Sequence, residues 1–152
     1  MHNSEYYFIF FIIIIMFYHH RVLNKIEKQF FLEYFGYDNV KRPKSGNIMS
    51  SKNDLGMPSG HTETTTLLLV LLYFYKYIPL WICILVILLV ASQRITSESH
   101  TIIQAMIGII FGVIYAYIYK TYDLSLKSFG IVILFSLLLT ALVYYKVLNK
   151  LN

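Results

Sequence analysis

Residues Tyr6 to Tyr18 are thirteen consecutive apolar side chains, and four further apolar stretches follow between Thr62 and Tyr145. A membrane-crossing helix needs about 20 largely apolar residues, because the hydrocarbon core is ~30 Å thick and each residue rises 1.5 Å. Stretches this dense do not fit a soluble fold of this size. The chain has 152 residues, 57% hydrophobic and only 14% charged, whereas an ordinary soluble domain carries about 25% charged residues. A soluble domain so small still exposes about a third of the surface of its unfolded chain. The expected fold is therefore all-α: one integral membrane helix bundle over residues 1–152. About five transmembrane helices are expected, near 6–23, 62–78, 80–96, 101–119 and 128–145, with Pro79 as the turn of a helical hairpin. The first apolar run lacks a basic stretch before it and a small-residue cleavage site after it, so it is expected to stay as a helix.

Between these stretches lies a polar segment, 24–60. Its first part, Lys25 to Tyr37, alternates apolar and charged residues and predicts an amphipathic helix on the membrane surface. Asp38 to Met57 is expected to be loop. The net charge is +5, but no basic amphipathic stripe accompanies it, which excludes a nucleic-acid partner. The bilayer is the expected partner. Cys83, inside an apolar run, is expected to be inert packing. The His19-His20-Arg21 cluster predicts a membrane boundary, and Tyr115, Tyr117, Tyr119 and Tyr122 predict an aromatic belt. No ionisable residue is expected deep within 62–119, which weighs against a transport pathway.

Connectivity then gathers the rare residues. If 62–78 descends and 80–96 returns, residue 61, residues near 94 and residue 100 share one membrane face, which the polar segment also joins. That face holds two of the three arginines, Arg42 and Arg94, and the two histidines beyond residue 20, His61 and His100. Arginine forks suit phosphate oxygens, and two histidines can divide the work of nucleophile and proton donor. Pro58-Ser59-Gly60-His61, just before a helix, offers backbone N–H groups to an anion.

Arg42-Pro43, then Pro58-Ser59-Gly60-His61, then Arg94 and, after five intervening residues, His100, resembles the three-part signature of the type-2 phosphatidic acid phosphatase and haloperoxidase superfamily. The resemblance covers residues 42–104 and extends to its polyprenyl-diphosphate phosphatases. It implies that His100 attacks phosphorus to form a phosphohistidine and that His61 protonates the leaving group, then activates water. It also implies that Arg42, Arg94, Ser59 and the Gly60 N–H hold the phosphoryl oxygens. No metal and no cofactor is implied, since arginine supplies the cations.

Three positions depart from the family pattern. Phe35 stands where it has lysine, Gln93 where it has serine, and Gln104 where it has the aspartate that orients the nucleophilic histidine. Lys41 and Lys44 are the candidate replacements for the lysine. Helical i, i+4 spacing places Gln104 beside His100, where its carbonyl could accept the ring N–H without supplying charge. In Ser-His-Asp triads an uncharged amide at that point costs about 10⁴ in turnover. Glu98 could assist there, or pair with Arg94. The expected function is hydrolysis of a lipid phosphate monoester or diphosphate, of phosphatidate or polyprenyl type. The alternative is a weakened or inactive relative that binds anionic lipid or acts as a scaffold.

Overall fold

A computed structural model describes residues 3–43, 55–123 and 126–151, whose regular structure is helical. Helix α1 (Asn3–Tyr18) runs through one π-helical turn (His19–Leu23) into α2 (Asn24–Phe35), and a single turn, α3 (Tyr37–Val40), follows. The remaining helices are α4 (Gly60–Phe74), α5 (Leu80–Thr96), α6 (Ile102–Thr121) and α7 (Leu126–Leu151). Pro79 caps α5, as its missing N–H and fixed φ favour. Thr101 caps α6 by accepting the Gln104 N–H, while the Gln104 side chain accepts the Thr101 N–H. This reciprocal capping box fixes where the helix begins.

Two glycines set the packing that places the site. A Cβ on Gly108 would stand 2.7 Å from the Ser59 carbonyl, and one on Gly112 2.6 Å from the Glu63 carbonyl. Glycines four apart thus let the backbones of α4 and α6 touch. The contacts advance together along both chains, so the two helices run parallel and their N-termini lie at one end. Ile15, Leu23, Leu67, Leu71, Tyr115, Ala116, Tyr119 and Val132 form the main apolar core.

The outside is greasier than the inside requires. Along α5, Leu80, Trp81, Ile84, Leu85, Leu88 and Leu89 are exposed, and α6 exposes Ile103, Met106, Ile110, Val113 and Ile114. Meanwhile His19, Asn24, Glu27, Glu63 and Gln104 are buried. Apolar surface outward and hydrogen-bonded polar groups inward is the arrangement that lipid selects. Among the described residues, α6 and Gly130–Val147 of α7 are long and apolar enough to cross a membrane, and α5 is a shorter apolar helix.

Several expectations change. The amphipathic helix forms as α2, but it continues α1 through the π turn instead of standing alone. Its Glu27 and Phe31 are buried. The expected aromatic belt divides: Tyr117 and Tyr122 are exposed, whereas Tyr115 and Tyr119 are core. Glu63 is buried within the bundle, bonded to Asn24 and His19, because the parallel α4–α6 contact carries the first turn of α4 inside.

Candidate active site

Three helix ends converge here: the start of α4, the last turn of α5 and the start of α6. His100, in the short turn between α5 and α6, donates its backbone N–H to the Arg94 carbonyl at 3.1 Å. Its ring is buried, and Nδ1 lies 2.9 Å from the Gly56 carbonyl. A carbonyl only accepts, so Nδ1 carries the proton and the lone pair is on Nε2. Burial, then the charges of Arg42, Lys28 and Arg94, push the His100 pKa down to about 3, so the ring is neutral at ordinary pH.

Gln104 does not orient this ring directly. Its Nε2 donates to the Lys41 carbonyl at 2.8 Å and the Val40 carbonyl at 3.3 Å, and its Oε1 is held by the Thr101 N–H. The amide therefore ties the segment after α3 to the first turn of α6. Gly56 N–H donates to the Val40 carbonyl at 2.7 Å, and Lys41 bridges Leu55 in antiparallel fashion. A Cβ on Gly56 would stand 2.3 Å from Gln104 Oε1, so any side chain here would displace the Gln104 amide from the bonds that hold the strap. The Gly56 carbonyl occupies the role expected of a carboxylate, and Gln104 positions the strap that presents it.

Arg42 follows that strap, its Nε 3.4 Å from the Leu55 carbonyl. Arg94 is half-buried, and its Nε is a buried donor with no partner among the described residues. His61, in the first turn of α4, is exposed and meets His20 edge-on at 5.0 Å. A cleft of about 420 Å³ opens between these groups, lined by His20, Arg21, Asn24, Lys25, Lys28, Gln29, Arg42, Leu55, Gly60, His61 and His100. Among the described residues, four cations and three histidines border it without a single carboxylate, which suits an anion.

Gly60 is where α4 meets the wall formed by α2. A Cβ there would lie 2.7 Å from Asn24 Oδ1. Asn24 Nδ2 in turn donates to Glu63 Oε2 at 2.8 Å and reaches the Pro58 carbonyl at 3.4 Å, fixing the Pro-Ser-Gly-His turn. Ser59 is buried, its hydroxyl bonded to Thr62 Oγ1 at 2.9 Å and its N–H given to the Gln104 carbonyl. The hydroxyl thus faces its own helix and not the cleft, because it stands at the helix start where such bonds compete. The N–H groups of Gly60 and His61 have no intrahelical acceptor by position.

The expected auxiliary groups fare unevenly. Lys41 pairs on the surface with Asp38 at 2.6 Å and does not line the cleft. Glu98 is exposed at φ +53 just past α5, and among the described residues it makes no ion pair with Arg94; the chain has left the helix, so i, i+4 spacing no longer applies. Lys44 lies outside the described residues. Phe35 is 54% exposed and stacks on Phe31, facing away from the cleft. The residues that the spacing argument did not find are His20, Asn24 and Lys28. Their signal was the recurrence of polar residues at 20–21, 24–25 and 28–29, one per helical turn.

A family model described as the PAP2 superfamily matches residues 30–128, 99 of the 152 residues. No curated protein and no solved structure matches the chain.

Proposed function

The chain belongs to the PAP2 superfamily, a family of phosphatase-type hydrolases, and on that premise we propose that it is a multi-pass membrane enzyme that dephosphorylates a lipid. The substrate is a phosphate monoester or a diphosphate, and the reaction passes through a phosphohistidine on His100. One observation carries this reading above the rest. A neutral histidine, its proton fixed on Nδ1 by the Gly56 carbonyl, borders a cleft that among the described residues is lined by cations and no carboxylate.

In the first half-reaction the Nε2 lone pair forms a bond to phosphorus as the bond from phosphorus to the leaving oxygen breaks. Burial, then the charge of Arg94, pushes the His61 pKa down to about 4 in the empty site; the bound phosphate anion raises it, so His61 takes up a proton with the substrate and gives it to that oxygen. In the second half, His61 takes a proton from water, whose oxygen attacks phosphorus. The phosphorus–nitrogen bond breaks, inorganic phosphate leaves, and both histidines return to their starting states. Arg42 and Arg94 hold the equatorial oxygens, where negative charge spreads in the transition state. The N–H groups that open α4 point the same way, aided by the positive end of that helix. For Ser59 to join them its hydroxyl must first leave Thr62. The apolar outer faces of α5 and α6 support a lipid tail rather than a soluble leaving group.

The test is phosphate release from phosphatidate and from a polyprenyl diphosphate by the detergent-solubilised protein, with orthovanadate as inhibitor. Turnover that vanadate stops and that His100→Ala abolishes is expected, with a phosphorylated, acid-labile histidine trapped from the parent. If the parent binds anionic lipid yet releases no phosphate from either substrate, it is a binding protein instead. Equal rates in parent and His100→Ala would remove the nucleophile assignment.

A further inference from the structure

The family pattern expects a lysine at position 35, and Phe35 leaves that place empty by pointing outward. Seven residues earlier, two turns back along α2, Lys28 lines the cleft together with Arg42, Gly60, His61 and His100. Lys28 lies outside the stretch that the family model matches, which begins at residue 30.

Its surroundings are unusual for a lysine. The side chain is largely removed from water, and among the described residues it forms no ion pair. Arg42, from the strap after α3, and Arg94, from the end of α5, repel it. Glu63 on α4 and Glu27 on its own helix attract it. Glu63 already accepts from Asn24 and His19, and Glu27 accepts from Tyr115. His61 and His100 both feel its charge. Drawing an ammonium out of water beside two guanidiniums is unfavourable unless an anion completes the site.

We propose that Lys28 is the third cation on the transferring phosphoryl group, bonding a non-bridging phosphate oxygen and standing in for the lysine that position 35 lacks. The proposal rests on the phosphatase reading for its chemistry, though its anion-binding content can be tested without turnover. Lys28 touches substrate in both ground and transition states, so its loss raises KM and lowers kcat/KM more than kcat.

Burial and the two arginines bring the Lys28 pKa down to about 8. The ammonium is therefore present below that pH and is lost as pH rises through it; a bound phosphate draws the value back up. In the parent, KM should climb above pH 8. Lys28→Arg keeps its charge at all such pH values and should abolish that climb. Lys28→Met keeps the apolar stem, removes the charge, and should lower kcat/KM by roughly 10²-fold with no alkaline dependence left.

The experiment measures KM and kcat for the parent, Lys28→Met and Lys28→Arg from pH 6 to 9.5, beside orthovanadate binding followed by vanadium NMR. A parent that turns over and a Lys28→Met variant with the same KM and pH profile would overturn this proposal and leave the phosphatase reading intact. Should the parent release no phosphate, the phosphatase reading falls, and vanadate decides the fate of Lys28. Tenfold weaker binding by Lys28→Met supports it as an anion ligand, whereas equal binding, or none by the parent, overturns it. If Lys28→Met does not fold, the Lys28→Arg profile decides: an alkaline rise in KM like the parent's sinks the assignment.

Discussion

Two polar regions lie on either side of Asn24, and neighbouring histidines feed them. His20 faces the cleft, edge-on to His61. His19 turns inward, its Nε2 3.1 Å from the Tyr119 hydroxyl and its Nδ1 3.5 Å from Glu63. The interior group bonds mostly within itself: Glu63 accepts from Asn24, Glu27 accepts from the Tyr115 hydroxyl, and Tyr18 bonds Ser136 at 2.6 Å. It mixes acids with donors and satisfies most of its members, leaving Glu27 Oε2 as a buried acceptor without a partner among the described residues. The cleft does neither. Among the described residues its lining holds cations and no acid, and close by, at the end of α5, Arg94 keeps a buried N–H without a partner among them. Buried polar groups normally find partners; the atom left over in the interior is a carboxylate oxygen, whereas the one left over beside the cleft is a cationic donor, which an anionic ligand would satisfy.

The sharpest way to break that contrast is at Arg94. Lysine keeps the charge but loses the planar fork that meets two oxygens at once. Arg94→Lys should lower kcat by about 10²–10³-fold and leave thermal stability near the parent's. A variant with full turnover would mean that the waiting donor has no role with substrate.

Gln104 probes the border between the two kinds of region, since it is fully bonded yet shapes the cleft. Aspartate would restore the family's residue, but it is one methylene shorter and cannot hold the Val40 and Lys41 carbonyls as the amide does. Losing buried hydrogen bonds costs about 1–3 kcal/mol, and the Gly56 carbonyl would move with the strap. Gln104→Asp should therefore slow phosphate release by roughly 10-fold. A faster variant would show that the carboxylate reaches His100 and that the carbonyl is a poor substitute.

Much of the cleft was legible because its motifs are local. Pro79 predicts the hairpin, α5 spans Leu80–Thr96 as expected, and α4 and α6 begin within two residues of their expected starts. Spacing alone then brings Arg94, His100 and the Pro-Ser-Gly-His turn together. The opposite wall was not legible, and the π turn explains why. Asn24 N–H reaches back five residues to the His19 carbonyl, so one turn holds more than the usual 3.6 residues. A regular helical period carried through residues 19–23 assigns the wrong faces beyond it. The polar recurrence at 20–21, 24–25 and 28–29 survives that slip, but on an amphipathic helix it reads as a face turned to the membrane surface, whereas it lines the cleft. The partner of His100 was hidden for another reason: a backbone carbonyl 44 residues away leaves no side-chain signature, whereas the substitution at Gln104 is conspicuous. Gly56 was the only trace.

The smallest effect on chemistry is expected from the interior region. Tyr119→Phe removes the hydroxyl that meets His19 Nε2 and leaves the ring's volume in the core. The imidazole nitrogen then stays buried without that bond, a loss of about 1–3 kcal/mol, while nothing lining the cleft is altered. Thermal unfolding in detergent should begin at lower temperature, and kcat should stay within about twofold of the parent. The comparison depends on this separation, because His19 and His20 are adjacent and Glu63 bonds Asn24 on the cleft wall. If Tyr119→Phe keeps the parent's stability but loses tenfold or more in kcat, the interior group works with the cleft during turnover. The two regions would then be one machine, with the histidine pair as its link.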